Sequence, residues 1–303
     1  MPKIRIGTRE SELAVWQANR VKQLLEADGH EAELIFIKSE GDTDLKTPLY
    51  EIGVQGIFTR ALDIALLNNN IDIAVHSMKD VPTQMPNGIV CASILKRASY
   101  KDLLVPKTDT AFLDSTLPAV IATSSIRRKA QWLNRYPGHT LENLRGNVNT
   151  RLQKVKDNNW NGAIFAAAGL ERINLRPANA IELDWMLPAP AQGAIMVVCR
   201  ADDNNSLDAC SSFHDNETTL CTGLERDFLR ALMGGCATPI SALAQIQNGV
   251  VVFEGNILSV DGREKLEVKR SVPVGSATNI GKDAAEELLR KGGRAILESV
   301  RSA

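Results

Sequence analysis

Residues 71–82 read Ile71-Asp72-Ile73-Ala74-Val75-His76-Ser77-Met78-Lys79-Asp80-Val81-Pro82, an apolar run followed directly by polar side chains. The apolar part predicts a short buried strand over 71–75. The polar part begins where that strand ends, and ligands of open parallel sheets bind outside the carboxyl ends of the strands. We therefore expect a parallel sheet with a binding site beside Asp80.

Strand and helix patterns alternate on both sides of this stretch. Hydrophobic periodicity predicts helices over 11–28, 58–68, 125–134 and 148–156. Strands are predicted over 3–8, 32–37, 89–95, 119–122, 140–144 and 163–168. This alternation indicates two doubly wound α/β units, separated near 101–109, with helices on both faces of each sheet. The strand-like run 194–199 fits either sheet.

The last third of the chain has a different order of elements. A long amphipathic helix is predicted over 217–232, followed by strands over 250–258 and 266–272 that a turn at Asp261-Gly262 joins. A final helix over 282–300 is interrupted at Gly292-Gly293. This arrangement indicates a small separate α+β domain.

Composition and charge exclude several classes of protein. The 303 residues are 44% hydrophobic and 23% charged, which is typical of a globular chain and excludes a disordered or fibrous one. The 35 Lys and Arg nearly balance the 36 Asp and Glu, so no global charge favours nucleic acid or a membrane surface. Apolar runs are only strand-sized, and the N-terminus lacks the apolar stretch of a signal peptide. We expect a cytoplasmic protein.

Four predicted strand–helix junctions gather hydroxyl and basic side chains. They lie at 7–11, 76–82, 123–128 and 145–151. Helix N-termini with Ser, Thr and Arg suit carboxylates or phosphates, although N-capping alone would explain Ser11, Ser77 or Ser125. No P-loop or dinucleotide fingerprint is present, so a nucleotide is the weaker choice of anion.

Two further residues differ from their surroundings. Asp80 is a lone carboxylate among basic groups, which fits either an ion pair with a neighbour or contact with a cationic or N–H-rich substrate group. Cys236 follows Gly234-Gly235 on a loop after a helix, where its thiol would be accessible. The other four of the five cysteines are predicted to be buried and inert, since the sequence has no C-x-x-C and no zinc-type spacing. No metal site is expected.

Taken together, these motifs resemble the porphobilinogen deaminase (hydroxymethylbilane synthase) family over nearly the whole chain. The stretches that carry the resemblance are Gly7-Thr8-Arg9-x-Ser11, Asp72 to Pro82, Thr123-Ser124-Ser125-Ile126-Arg127-Arg128, Leu144 to Arg151, Ala168-Gly169-Leu170-Glu171-Arg172, Gln192-Gly193-Ala194 and Gly234-Gly235-Cys236-x-x-Pro239. The resemblance implies a transferase of haem biosynthesis that joins four porphobilinogen molecules head to tail into hydroxymethylbilane and releases ammonia. The protein is expected to be a monomer, with no nucleic acid or membrane partner.

The resemblance also implies a role for each site residue. Asp80 would be catalytic, and a dipyrromethane cofactor would be held covalently by Cys236. The residues implied to bind the cofactor are Cys236, Lys79, Ser125, Arg127, Arg128 and Arg145. The residues implied to bind substrate are Arg9, Ser11, Arg151 and Arg172. Gln55 departs from the family, which usually has a lysine in that loop.

The implied fold has three domains, namely two doubly wound α/β domains that flank a cleft and a small α+β C-terminal domain. Their expected extents are 1–95 with 194–212, then 101–188, then 216–303. In this arrangement the strand at 194–199 returns to the first sheet.

The alternative function is a non-catalytic anion-binding protein of the two-domain solute-receptor type, which would carry no pyrroles that react with Ehrlich's reagent.

Overall fold

The computed structural model describes residues 3–38, 58–114, 117–233 and 238–302, and within them the strands form three sheets. Two sheets have five strands and mix parallel with antiparallel pairing, and the third has three antiparallel strands. The mixed α/β fold class is confirmed. The two α/β sheets are not purely parallel, because each includes strands that run against the others.

The first sheet has the order β2-β1-β3-β10-β4. Its elements are β1 (Ile4–Thr8), α1 (Glu12–Ala27), β2 (Ala32–Phe36), α2 (Arg60–Leu67), β3 (Ile73–Ser77), β4 (Ile89–Ile94) and the late strand β10 (Ile195–Arg200). α1 and α2 pack into two different apolar cores on this sheet, as double winding requires. β10 lies antiparallel between β3 and β4, so the predicted return of this strand to the first sheet is confirmed.

The second sheet has the order β7-β6-β8-β5-β9. Its elements are β5 (Asp102–Pro106), β6 (Val120–Ala122), α3 (Ile126–Arg135), β7 (Thr140–Glu142), α4 (Val148–Asp157), β8 (Gly162–Ala166), α5 (Ala167–Glu171) and β9 (Ile181–Glu182). The stretch 101–109, near which the two units were expected to separate, contains a strand that was not predicted, because β5 is fully buried there and pairs antiparallel with β8. The apolar part of β5 is only Leu103-Leu104-Val105, which is too short for hydrophobic periodicity to indicate a strand.

The third sheet has the order β11-β12-β13. The remaining elements are α6 (Asn204–Cys210), α7 (Asn216–Ala231), β11 (Ile240–Gln247), β12 (Val250–Leu258), β13 (Lys265–Pro273), α8 (Ile280–Leu288) and α9 (Arg294–Ser302). The predicted interruption of the last helix is confirmed, because Gly292 has a φ of 103° in a wide turn between α8 and α9. Sequence reasoning missed β11, whose Ser241, Ala242 and Ala244 are poor strand formers. The exact domain boundaries given above stay a prediction.

A buried carboxylate joins the third sheet to the segments that connect the other two. Glu225 of α7 is fully buried and accepts hydrogen bonds from the Arg97 guanidinium at 2.6 and 3.0 Å. It also accepts from the backbone N–H of Ala191 at 2.6 Å and of Ala244 at 2.8 Å. Arg97 follows β4, Ala191 precedes β10 and Ala244 lies on β11, so one side chain holds three parts of the fold together.

We predict that Glu225→Gln destabilises the protein by about 3–5 kcal/mol, because it leaves the largely buried guanidinium of Arg97 without its counter-charge. The matched control is Glu171→Gln, which removes an Arg176 partner at the same 2.6 Å distance on the surface. That change should cost about 0–1 kcal/mol. Urea denaturation followed by tryptophan fluorescence measures both. Equal losses of stability in the two variants would show that burial of the Arg97–Glu225 pair adds nothing to the free energy of unfolding.

Candidate functional site

The basic residues of the predicted junctions meet around Asp80. Lys79 and Asp80 follow β3 of the first sheet, whereas Arg127 and Arg128 begin α3 on the second. Charge–charge effects on the pKa of Lys79 come from Arg128, Asp80, Asp102 and Arg127. Those on the pKa of Arg151 come from Arg128, Arg145, Asp80 and Arg9. Side chains from the two sheets therefore form one electrostatic cluster, which we call the cationic cluster: Arg9, Lys79, Arg127, Arg128, Arg145 and Arg151.

Asp80 occupies the last position of a single 3₁₀ turn, Met78–Asp80, which follows β3 directly. Met78 is buried and its N–H donates to the Ala194 carbonyl at 3.0 Å, while the Val81 N–H donates to the Met78 carbonyl at 3.2 Å. Asp80 itself is half-buried. The nearby His76 is buried, and burial lowers its pKa to about 3, so His76 stays neutral near pH 7.

The side chain of Lys79 lies between the two sheets. Its Nζ donates to Oε1 of Gln192 at 3.2 Å. Burial, with the positive charge of Arg128 beside it, lowers the pKa of Lys79 to about 8. Lys79 is therefore mostly charged near pH 7 and loses its proton as the pH rises through about 8.

Arg127 and Arg128 share one fully buried carboxylate, Asp102 of β5. Arg127 donates to Oδ2 at 2.7 Å, and Arg128 donates to Oδ1 at 2.7 and 3.2 Å. Their remaining contacts are backbone carbonyls, that of Leu187 for Arg127 and that of Ile164 for Arg128. The two guanidinium groups hold the pKa of Asp102 far below its usual range. One negative charge thus fixes two positive charges, which leaves the pair net positive.

Sequence reasoning missed both Asp102 and the role of Gln192. The Gln192 amide donates to Asp102 at 2.9 Å and to the Tyr100 carbonyl at 2.7 Å, and it accepts from Lys79. Gln192 belongs to a motif of the resemblance, which gave it no role. Ser125, expected to bind cofactor, caps α3 by accepting from the Arg128 N–H at 3.4 Å.

Of the residues expected to bind substrate, Arg9 and Arg151 belong to the cationic cluster, and Ser11 lies at the start of α1. The Arg9 guanidinium lies over the Phe58 ring, 4.8 Å from its centroid, and Ser11 caps α1 by accepting from the Ala14 N–H at 3.4 Å. Arg151 donates from Nε to the Gly146 carbonyl at 2.7 Å, and burial lowers its pKa to about 10. It stays charged at neutral pH.

Arg145 and Arg172 are the last two predicted arginines. Arg145 is 3% exposed and belongs to the cationic cluster. Arg172 instead donates to the Gly193 carbonyl at 2.7 Å and lies 5.7 Å from the centroid of the Trp16 ring of α1. Arg172 therefore contacts the segment before β10 and the first helix.

Two predicted features lie outside the described residues, namely Cys236 and Gln55. The other cysteines, Cys91, Cys199, Cys210 and Cys221, are free thiols. Cys199, Cys210 and Cys221 are buried as predicted, whereas Cys91 is only partly buried. Burial raises the pKa of each of these thiols to about 11 or 12, so they are protonated at neutral pH. Within the described ranges, no group of His, Cys, Asp and Glu is placed to hold a metal ion. No helix in the described part of the chain is long and apolar enough to cross a bilayer.

Comparison with known proteins assigns the chain to a family. A family model described as "Porphobilinogen deaminase, dipyromethane cofactor binding domain" matches residues 4–208. A second, "Porphobilinogen deaminase, C-terminal domain", matches residues 219–290. The chain belongs to the porphobilinogen deaminase family. The cationic cluster lies within the part of the chain that the cofactor-binding model covers.

Relatives within the deaminase family match along nearly the whole chain. The porphobilinogen deaminase of Pelobacter propionicus is 41% identical over 304 residues, covering 98% of this chain and 97% of that protein. The chloroplastic porphobilinogen deaminase of Pisum sativum is 41% identical over 311 residues, covering 98% of this chain and 84% of that protein. Among solved structures, the VFT2 domain of BvgS from Bordetella pertussis aligns with 12% identity and a TM-score of 0.43, covering 72% of this chain and 91% of that domain. A likeness that weak carries no functional argument.

The pKa of Lys79 leads to a prediction about anion binding. In cofactor-free protein, the affinity for a small dicarboxylate such as glutarate should fall as the pH rises through about 8, because Lys79 loses its proton. The fall should approach, and not exceed, about tenfold per pH unit, the limit for one proton. Isothermal titration calorimetry at several pH values measures it. Lys79→Arg should abolish the fall, since a guanidinium keeps its charge in this range. The same pH dependence in both proteins would contradict the prediction.

Proposed function

We propose that the protein joins four molecules of porphobilinogen head to tail into hydroxymethylbilane, releasing ammonia at each addition, as a transferase of tetrapyrrole (haem) biosynthesis. The observation that carries this proposal is the cationic cluster around the single half-buried carboxylate Asp80, in a chain of this family. Each pyrrole of the substrate bears an acetate and a propionate. A growing chain of such pyrroles is polyanionic, and arginine forks and lysine match its carboxylates.

The alternative function, a solute-receptor type of anion-binding protein, would use the same positive charge. It does not explain the match of both deaminase models along the chain. Nor does it give a reason to keep a carboxylate beside bound anions, where it would weaken their binding. We therefore favour the enzyme.

The predicted site residues divide into two groups in this proposal. Lys79, Ser125, Arg127, Arg128 and Arg145 would hold the carboxylates of the dipyrromethane cofactor, and the chemistry of these donors fits a group with several carboxylates. Arg9, Ser11, Arg151 and Arg172 would hold the carboxylates of incoming substrate. When bound, the cofactor supplies the terminal pyrrole to which the first substrate is joined.

Asp80 would stabilise positive charge during each addition. Substrate that has lost ammonia is electron-poor, and the pyrrole ring that attacks it is cationic until it releases a proton. A carboxylate that accepts hydrogen bonds from pyrrole N–H groups lowers the energy of that charged state more than that of the neutral reactants. The other carboxylate of the site, Asp102, is paired with Arg127 and Arg128, which leaves Asp80 as the anionic group for this role.

Cys236 would attach the cofactor through a thioether. It follows α7 closely in the sequence, directly after Gly234-Gly235, a position for which the sequence predicts an accessible thiol. The four described cysteines are poor candidates because burial keeps their thiols protonated. A carbon–sulfur bond also survives the release of finished product.

The proposal extends to domain organisation, oligomeric state and location. The three domains would comprise 1–95 with 194–212, 101–188 and 216–303, in agreement with the strand order of the three sheets. The protein would act as a monomer in the cytoplasm, where its free thiols remain reduced. Light scattering after size-exclusion chromatography tests the monomer.

Substitution of Asp80 tests the catalytic assignment. Asp80→Ala should lower kcat by about 10²–10³-fold or more, because a developing positive charge loses its counter-charge. Asp80→Glu should slow turnover strongly while substrate still binds. Steady-state kinetics on variants that carry cofactor measures the effect. Asp114→Ala, on an exposed turn, is the control and should behave like wild type. Near-normal turnover of Asp80→Ala would remove Asp80 from the mechanism.

Mass spectrometry tests the attachment at Cys236. Intact wild-type protein should carry an adduct of about two pyrrole units, and peptide mapping should place it on the Cys236 peptide. Cys236→Ser should purify without the adduct and without activity, whereas Cys91→Ser and Cys210→Ser should keep both. The same adduct should react with Ehrlich's reagent. An adduct on another cysteine would refute the attachment at Cys236. A fully active protein without any adduct would also refute the requirement for the cofactor.

A further inference from the structure

Helix α7 reaches from the third sheet to the loop that carries Asp80. Arg226 of α7 is 8% exposed, and its guanidinium donates to three backbone carbonyls of that loop. The acceptors are Val81 at 2.8 Å, Pro82 at 2.6 Å and Met78 at 3.4 Å. One turn further along α7, Arg230 donates to the Thr83 carbonyl at 2.9 Å. The same face of α7 thus follows the loop over 78–83.

The carbonyls bound by Arg226 lie on both sides of Asp80 in the chain. The 3₁₀ turn that ends at Asp80 has only three residues, too few to hold its own geometry by internal hydrogen bonding. The loop then becomes extended at Val81, and Pro82 has no N–H to donate. Beyond the hydrogen bond from the Val81 N–H to the Met78 carbonyl, the carbonyls of this segment therefore take donors from elsewhere. Arg226 supplies them in a planar fork, which fixes direction as well as distance.

A fixed carboxylate matters because catalysis by charge stabilisation depends on position. A displacement of about 1 Å at a catalytic group can cost on the order of 10²-fold in rate. Contacts from the first sheet hold Met78, at the beginning of the turn, through the Ala194 carbonyl. Arg226 holds the residues at its end.

We propose that Arg226 is a positioning residue for Asp80, through which helix α7 fixes the catalytic loop. This inference rests on the proposed role of Asp80 in the reaction. Arg226 donates to backbone carbonyls on both sides of Asp80, so its effect on the rate would come from the place it gives that carboxylate. It should therefore influence kcat and leave the binding of substrate carboxylates to the cationic cluster unchanged.

Three variants of the holoenzyme test the proposal, after mass spectrometry has confirmed equal cofactor content. Arg226→Met keeps the length of the stem and removes all donors, so kcat should fall about tenfold or more, with KM within about twofold of wild type. Arg226→Lys keeps a charge with fewer directed donors and should recover part of the loss. Arg230→Met is the matched control, because Arg230 is exposed and bonds beyond the turn. Its kcat should stay within about twofold.

A double-mutant cycle separates positioning from a general loss of structure. In the Asp80→Glu background, whose carboxylate is already displaced, Arg226→Met should lower kcat by less than about threefold. An equal loss in both backgrounds, or a normal kcat for Arg226→Met, would overturn the proposal. If Arg226→Met does not fold, Arg226→Lys replaces it in the cycle under the same criteria. Normal turnover of Asp80→Glu and Asp80→Ala would instead refute the role of Asp80 itself, which is a different outcome.

Discussion

The buried carboxylate of Asp102 is the interaction on which the site depends. A fully buried charge is stable only with partners of opposite charge and with its hydrogen bonds satisfied, and Arg127, Arg128 and Gln192 provide both. Through them Asp102 ties β5 to the start of α3 and to the segment before β10. Through Gln192 it also reaches Lys79 of the first sheet. The surplus of positive charge that remains is what makes the space between the two sheets attractive to carboxylates.

Local pattern was enough to predict most of the fold. Helices such as α1 and α7 have clear apolar periodicity and end within a residue or two of their predicted limits. β5 and β11 were missed for opposite reasons. β5 has too short an apolar core between charged residues, whereas β11 is rich in Ala and Ser, and its partner strand alone makes it extended. Pairing outweighed local propensity in both cases, with the distant β8 for β5 and with the next strand, β12, across the turn at Asn248-Gly249 for β11.

The residues of the site also fall into those that the sequence predicts and those that it does not. Residues at strand–helix junctions, such as Arg128 and Asp80, could be found because the topology of a parallel sheet brings such junctions together. Asp102, Gln192 and Arg226 could not be found from local pattern. Their importance lies in contacts with residues distant in sequence, and each alone looks like an ordinary polar residue on a strand, a loop or a helix. Supporting residues of this kind become visible only when the packing is known.

The position of β10 has a consequence for how the chain folds during synthesis. Among the described strands, β10 alone pairs with β4, so the first sheet cannot be completed before residue 200 has been made. Every strand of the second sheet lies between Asp102 and Glu182 and is available earlier. The segment that leads from the first sheet into the second and the segment that returns from it are joined by a hydrogen bond, in which the Ala98 N–H donates to the Gly193 carbonyl at 3.1 Å. The α/β unit that the ribosome begins first is therefore the second to be finished.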